Sequence, residues 1–268
     1  NVVLPADART LVVAVDVSLS MLAEDVPPSR MQAAQSTVKT FISELPSDLK
    51  VGLVTFAGTA QVAHRVTESR ADLLAAVDRF RLQRATATGS GLLLSLAVLR
   101  PELEFDLEPL IYGFNSSQRT RKPGEQSLFD LKPVPPGSYK SGAIVLISDG
   151  RRTTGPDPIA AAQLAAQLGV RVYTVAFGTP DGFIPGFEGR SFYAAVDERT
   201  LQAMALITEG EFFKAENAEQ LAGIYDQLST QFELERSRTE VSALFAGVSA
   251  LFVLMASLLS VYWFRRTV

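Results

Sequence analysis

Residues 11–20 read Leu11-Val12-Val13-Ala14-Val15-Asp16-Val17-Ser18-Leu19-Ser20: an apolar run that ends in a carboxylate and two hydroxyls at alternate positions. An apolar run with no polar alternation needs cover on both faces, as a strand inside a helix-flanked parallel sheet does. Residues 51–56, 143–147 and 170–177 have the same character. Helical patterns lie between these runs. Ser29 precedes a stripe of Met31, Ala34, Val38, Phe41, Ile42 and Leu45, and Ser69 precedes Leu73, Leu74, Val77 and Phe80. Asp157-Pro158 supplies an N-cap with proline at the first helical position, and Gly169 stands where that helix should stop. Asp197 opens another helix through Leu201, Met204 and Ala205. Residues 61–66 follow Ala57-Gly58-Thr59 and form a short strand hairpinned onto 51–56. The alternation predicts an α/β fold. Its sheet is doubly wound (Rossmann-like) and mostly parallel, with one antiparallel edge strand, and ligands belong at the carboxyl ends of its strands.

Composition removes several functions. Of 268 residues, 47% are hydrophobic, enough for a core, and the 25 basic against 29 acidic groups leave a net charge of −4. No basic surplus exists to neutralise phosphates, so nucleic acid is not the partner. Cysteine is absent, which excludes disulfides, thiolate metal sites and cysteine nucleophiles. His64 is the only imidazole.

The oxygen-rich positions fall at strand ends. Asp16, Ser18 and Ser20 close the first strand, and Asp149 closes another in Ile147-Ser148-Asp149-Gly150. Thr86, in Thr86-Ala87-Thr88-Gly89, enters the next helix, with Thr88 as its rival in that loop. In a doubly wound sheet these three loops meet at one crevice. Carboxylates and hydroxyls without sulfur or imidazole form a hard donor set, suited to Mg²⁺ first, or to Mn²⁺ or Ca²⁺. Such a set under-neutralises its ion, which then accepts one anionic oxygen from outside. The plainer reading is that Ser18 and Ser20 cap a turn and Asp149 caps a helix.

This constellation resembles the von Willebrand factor A (VWA) domain with its metal-ion-dependent adhesion site, over nearly all of residues 10–230. The resemblance implies that Asp16, Ser18 and Ser20 fill its D-x-S-x-S motif, Thr86 its metal threonine and Asp149 its later aspartate. The string Glu24-Asp25-Val26-Pro27-Pro28-Ser29-Arg30 and an apolar C-terminus narrow the likeness to bacterial membrane-anchored VWA proteins of the aerotolerance-operon (Bat) type.

That C-terminus, residues 241–264, holds 24 residues without a charge and ends in Tyr262-Trp263-Phe264. As a helix it would extend roughly 36 Å, enough to cross a hydrocarbon core of about 30 Å. Arg265 and Arg266 follow it, whereas Arg236 and Arg238 face Glu233, Glu235 and Glu240 upstream. Positive charge marks the cytoplasmic side, so the C-terminus is expected inside and the preceding domain outside the cell membrane. Delivery of that domain implies a signal or anchor ahead of Asn1. The expected organisation is a VWA domain over 1–235, a juxtamembrane segment 236–240, a transmembrane helix 241–264 and a cytoplasmic tail 265–268. Asn217 and Gln220 open a helix with a Leu221, Ile224, Tyr225, Leu228 and Phe232 stripe, expected to run from about 218 into the membrane. Ala243 and Gly247 leave room for helix pairing into a homo- or hetero-oligomer. Two stretches interrupt the alternation: a proline-rich insertion at 101–142, read as an interaction loop, and a glycine-rich hairpin at 178–193.

Three functions compete. The first is a non-enzymatic module whose bound divalent cation takes an Asp or Glu carboxylate of a partner protein in the bacterial envelope. An enzyme is disfavoured, since no G-x-S-x-G, no phosphate-binding glycine loop and no second imidazole occurs. The third is a structural subunit of a membrane complex whose metal only stabilises the fold, with binding through 101–142.

Overall fold

The computed structural model describes residues 9–103, 133–149, 151–179, 182–187, 190–193, 196–217 and 219–224, then 249–250, 252–253 and 255–256; of 183–195 only backbone is described. The chain divides into two compact units, Asn1–Tyr225 and Asp226–Val268.

In the first unit, strands β1 (Thr10–Asp16), β2 (Lys50–Phe56), β3 (Ala60–Thr67), β4 (Gly142–Ser148), β5 (Arg171–Phe177) and β8 (Phe212–Ala215) form one sheet. Its order is β3-β2-β1-β4-β5-β8. All neighbours pair in parallel except β2 and β3. The expected doubly wound sheet with one antiparallel edge is therefore present. Strands β6 (Phe183–Phe187) and β7 (Arg190–Tyr193) form the separate hairpin expected in 178–193. The short edge strand β8, Phe212-Phe213-Lys214-Ala215, has too little length to be read from pattern alone.

Helices α1 (Arg30–Glu44), α2 (Arg70–Asp78), α3 (Thr88–Leu99), α4 (Pro158–Gln167) and α5 (Glu198–Ile207) connect the strands. Four begin at the capping residues foreseen. Ser29 accepts from the Gln32 N–H, Ser69 from Asp72, Asp157 from Ile159 and Asp197 from Thr200. Gly169 holds a φ of +72° just past α4, a conformation that ends helices cheaply only at glycine.

Val12 and Ala14 of β1, Val54 and Phe56 of β2, and Ile144 and Leu146 of β4 share one core with Leu92 and Leu96 of α3, Ala162 of α4 and Met204 of α5. The alternate residues Leu11, Val13 and Val15 point to the other face and are equally buried. That two-sided burial is what the unbroken apolar runs require. Edge strand β3 is instead half-exposed along most of its length.

Of the insertion, residues 104–132 lie outside the described residues. Its first residues form a 3-10 turn, Pro101–Leu103, and its return arm docks on the domain. The Val134 N–H donates to Gln167 and the Tyr139 N–H to Gly169, while the Arg100 guanidinium lies 4.5 Å over the Tyr139 ring. Residues 219–224 are helical as expected, with Leu221 buried and Asn217 Oδ1 accepting from the Gln220 N–H at 2.8 Å.

In the second unit, the described residues between 249 and 256 are helical, with Phe252, Val253 and Met255 exposed. Among the described residues no helix is long and apolar enough to cross a membrane. The 236–240 segment, most of 241–264 and the tail lie outside the described residues, as does most of the helix expected from 218 onward.

Candidate metal centre

Strand order reverses between β1 and β4: successive strands run to one side as β1, β2, β3 and to the other as β4, β5, β8. At such a switch point the loops leaving neighbouring strands diverge and open a crevice. Asp16 is the last residue of β1, Ser148 the last of β4, and Asp149 follows directly.

Both oxygens of Asp16 are engaged. The Ser18 N–H donates to Oδ1 at 2.8 Å and the Ser148 hydroxyl to Oδ2 at 2.6 Å. Ser18 Oγ and Ser20 Oγ lie 2.8 Å apart, Ser20 being carried on a 3-10 turn, Leu19–Leu22. The Asp149 carboxylate, whose pKa Ser20 helps hold down, accepts from the Arg151 N–H at 3.2 Å.

The third loop is tied to both others. The Gln83 N–H donates to Val17 O, and the Gly58 N–H to Arg84 O. Thr86 donates its N–H to Thr153 Oγ1 at 2.8 Å, and its carbonyl accepts from the N–H groups of Thr153 and Thr154. Ala85, immediately before it, has a φ of +66°, a left-handed conformation that costs a residue with a Cβ about 1–2 kcal/mol. The crevice is therefore built under backbone strain. Thr88 is the first residue of α3; its buried hydroxyl, like that of Ser90, has no hydrogen-bond partner among the described residues.

The electrostatics call for a cation. Burial pushes the Asp16 carboxyl up to about 7 from an ordinary 3.8. That value already includes the neighbouring Asp149 charge, which acts with burial and against the hydrogen bonds of Ser148 and Ser18. Burial also raises Asp149, opposed by Ser20, the Arg151 N–H and the Arg30 and Arg151 guanidinium groups. Arg30 Nη1 lies 3.9 Å from Asp149 Oδ2, while its Nη2 pairs with Asp25 Oδ2 at 2.6 Å. Burial pushes Asp25 up, but the Arg30 and Thr179 hydrogen bonds hold it below the ordinary range. Were Asp16, Asp149 and Asp25 all ionised, these three and the enclosed Arg30 would sum to −2, which a divalent ion would offset. No cluster of three or more acidic or imidazole groups with metal-holding geometry occurs among the described residues, so an ion here would depend on the hydroxyls. Two carboxylates and paired hydroxyls, all oxygen, fit a hard divalent cation.

The five sequence-derived residues thus sit on three mutually bonded loops. Asp16 is tied to Ser18 and to Ser148, the neighbour of Asp149; Ser18 and Ser20 meet through their hydroxyls, and Thr86 joins through its backbone. His64 is half-buried on edge strand β3, its Nδ1 bonded to the Arg65 carbonyl. Sequence reasoning passed over Ser148, although it stands beside Asp149, and over Asp25 and Arg30, whose nearness to Asp149 no local spacing discloses. It also missed a rim of exposed Arg84, Arg151 and Arg152, the last bonded to the Gly155 carbonyl.

Known proteins share this architecture. Residues 11–120 and 137–227 each match the von Willebrand factor type A domain. The UPF0353 protein of Nocardia farcinica is 34% identical over 252 residues, covering 89% of this chain and 67% of that protein. Among solved structures, BatB from Bacteroides thetaiotaomicron aligns at a TM-score of 0.59 and 23% identity, over 83% of this chain and 98% of its own. An aerotolerance-related membrane protein from Bacteroides fragilis also reaches 0.59 at 23% identity, over 83% and 99%. Proximal thread matrix protein 1 from the mussel byssus, with a zinc-occupied MIDAS motif, gives 0.52 at 18% identity, over 83% and 46%. The two family matches run through the Asp16 loop and the Asp149 loop in turn: the chain belongs to the von Willebrand factor type A domain family.

Proposed function

We propose that this protein is a membrane-anchored, non-enzymatic binding module of the bacterial envelope, in which a divalent ion accepts a carboxylate from a partner protein. Asp16, Ser18, Ser20, Thr86 and Asp149 would hold the ion, and Mg²⁺ suits their hard oxygens best. The observation that carries this reading is the pair of buried carboxylates, Asp16 and Asp149, with the paired hydroxyls of Ser18 and Ser20 beside them. An ion bound there keeps part of its charge, and a partner carboxylate entering the half-dry crevice meets stronger attraction than in bulk water. The exposed Arg84, Arg151 and Arg152 favour the same kind of ligand on a chain of net charge −4.

Anchoring rests on the uncharged run 241–264 and the arginines that follow it. The likeness to an aerotolerance-related membrane protein supports it. The basic tail supports a domain outside the cytoplasm. A non-enzymatic role rests on the chemistry of the crevice. Ser18 and Ser20 have carboxylates and each other as neighbours, and the single imidazole stands on the edge strand.

Crosslinking in intact membranes identifies the partner. Its affinity is then measured for wild type and Asp16→Ala, with Mg²⁺ and with EDTA. The reading requires loss of binding on chelation and in the variant. Binding that survives both would make the ion structural and move the interface to the 101–142 insertion.

A further inference from the structure

Among the described residues Arg30 is the largest side chain to be completely enclosed, at 0% exposure. A buried guanidinium needs its charge and its fork of donors matched. Asp25 meets it in fork geometry, Nε to Oδ1 at 2.7 Å and Nη2 to Oδ2 at 2.6 Å. Nη2 also donates to Thr179 O at 3.3 Å. Asp25 Oδ2 in turn accepts from the Thr179 N–H at 2.7 Å and its hydroxyl at 2.8 Å. The remaining arm, Nη1, faces Asp149 Oδ2 at 3.9 Å, an ion pair beyond hydrogen-bond length.

The chain that leaves β5 for the β6–β7 hairpin closes on this pair. The Gly182 N–H donates to Thr179 O, and both flanking glycines lie against the guanidinium. A Cβ on Gly178, whose φ is +125°, would come within 2.3 Å of Arg30 Cζ; one on Gly182 would come within 2.0 Å of Nη2. Only glycine allows that approach. On the opposite side the Arg30 N–H donates to Ala23 O and the Ala23 N–H to Ser20 O, which ties α1 to the turn bearing Ser20. Arg30 therefore touches the turn below the hairpin and the candidate metal aspartate with one rigid group.

We infer that Arg30 is a positioning residue of the metal centre: held by Asp25 and by the turn around Thr179, it sets the negative charge that Asp149 presents to a divalent ion, and thereby the ion's affinity. This rests on the metal-binding reading above. A fixed cation beside Asp149 repels an incoming ion, and Asp25 offsets that repulsion. The arrangement keeps the ion exchangeable and its charge only partly neutralised.

Charge bookkeeping supplies a test with opposite signs. Asp16, Asp149, Asp25 and Arg30 sum to −2; Arg30→Met makes the sum −3, Asp25→Asn makes it −1, and the double variant restores −2. Mn²⁺ binding to the full-length protein in detergent is titrated by the free-ion electron paramagnetic resonance signal, with thermal melts alongside. Arg30→Met should tighten Mn²⁺ binding about tenfold and Asp25→Asn should weaken it about tenfold, charges at these separations being worth at least that much. The double variant should return toward wild type although it has lost more contacts than either parent. Should Arg30→Met fail to fold, the comparison of Asp25→Asn with the double variant carries the same test. A purely structural ion pair would shift both single variants the same way and leave the double variant worst, which overturns the inference. If wild type binds Mn²⁺ but the signs do not divide, only the role of Arg30 falls. If wild type binds no Mn²⁺, the metal-binding reading falls with it.

Discussion

Ser148 gives its hydroxyl to Asp16 Oδ2 across 2.6 Å, joining the ends of the two strands between which the sheet reverses direction. The bond holds the Asp16 carboxylate in place and stabilises its ionised form. Ser148→Ala should therefore raise the Asp16 pKa further and shift the pH midpoint of Mn²⁺ binding upward. The cost in stability should be about 1–3 kcal/mol, as expected for a lost hydrogen bond to a charged group. Titration of Mn²⁺ affinity between pH 5 and 9 checks the shift, and an unmoved midpoint would show that the hydroxyl does not control Asp16.

The pH dependence without metal runs opposite to that of an ordinary salt-bridged aspartate. The Asp16 pKa is pushed up to about 7 in the fold from 3.8. Between those values the folded protein binds more protons than the unfolded chain, so stability falls as pH rises through that window. Bound Mg²⁺ competes with the protons. The melting-temperature difference between Mg²⁺ and EDTA should then be wider at pH 8 than at pH 5. Equal differences at the two values would disconnect Asp16 from the ion.

Thr86 and Thr88 should separate cleanly. Thr86→Ala should weaken Mn²⁺ binding and leave the fold, since its backbone makes the bonds to Thr153 and Thr154. The Thr88 hydroxyl is buried with no partner among the described residues, so the isosteric Thr88→Val should be neutral or stabilise by about 1 kcal/mol. Weakened ion binding in Thr88→Val with unchanged binding in Thr86→Ala would exchange their roles.

Arg84, Arg151 and Arg152 form an exposed basic rim for an acidic ligand, Arg151 also acting on Asp149. Reversing charge in Arg151→Glu/Arg152→Glu should weaken Mg²⁺-dependent binding of a glutamate-rich peptide at least tenfold and flatten its salt dependence. Surface plasmon resonance at two salt concentrations reads both effects. A neutral peptide should show no such change, and an unaffected acidic peptide would remove the rim from the interface.

Orientation is tested in spheroplasts. External protease should digest the domain, whereas a tag placed after Val268 should be reached only after lysis. A domain protected in intact spheroplasts would reverse the proposed topology.

The amino-acid sequence by itself determined the layers of this protein. Runs such as 11–15 and 143–147 carry no polar alternation, so only burial on both faces suits them, and Ser29, Ser69, Asp157 and Asp197 mark where helices begin. It also brought forward the oxygen donors Asp16, Ser18, Ser20, Thr86 and Asp149, because each stands beside a strand or helix boundary that pattern reveals. Edge strand β8 was not legible, since four residues carry too little periodicity. Tertiary structure alone decided which neighbours the donors meet. Periodicity reports which face of an element is buried, not which distant side chain lies opposite. Ser148 reaches Asp16 from 132 positions away, and Thr179 reaches Asp25 from 154. Arg30 reads in sequence as the first residue of an amphipathic helix, with every reason to be solvated. Its enclosure between Asp25, Asp149 and two glycines follows from the strand order, which brings the ends of β1, β4 and β5 side by side against the start of α1.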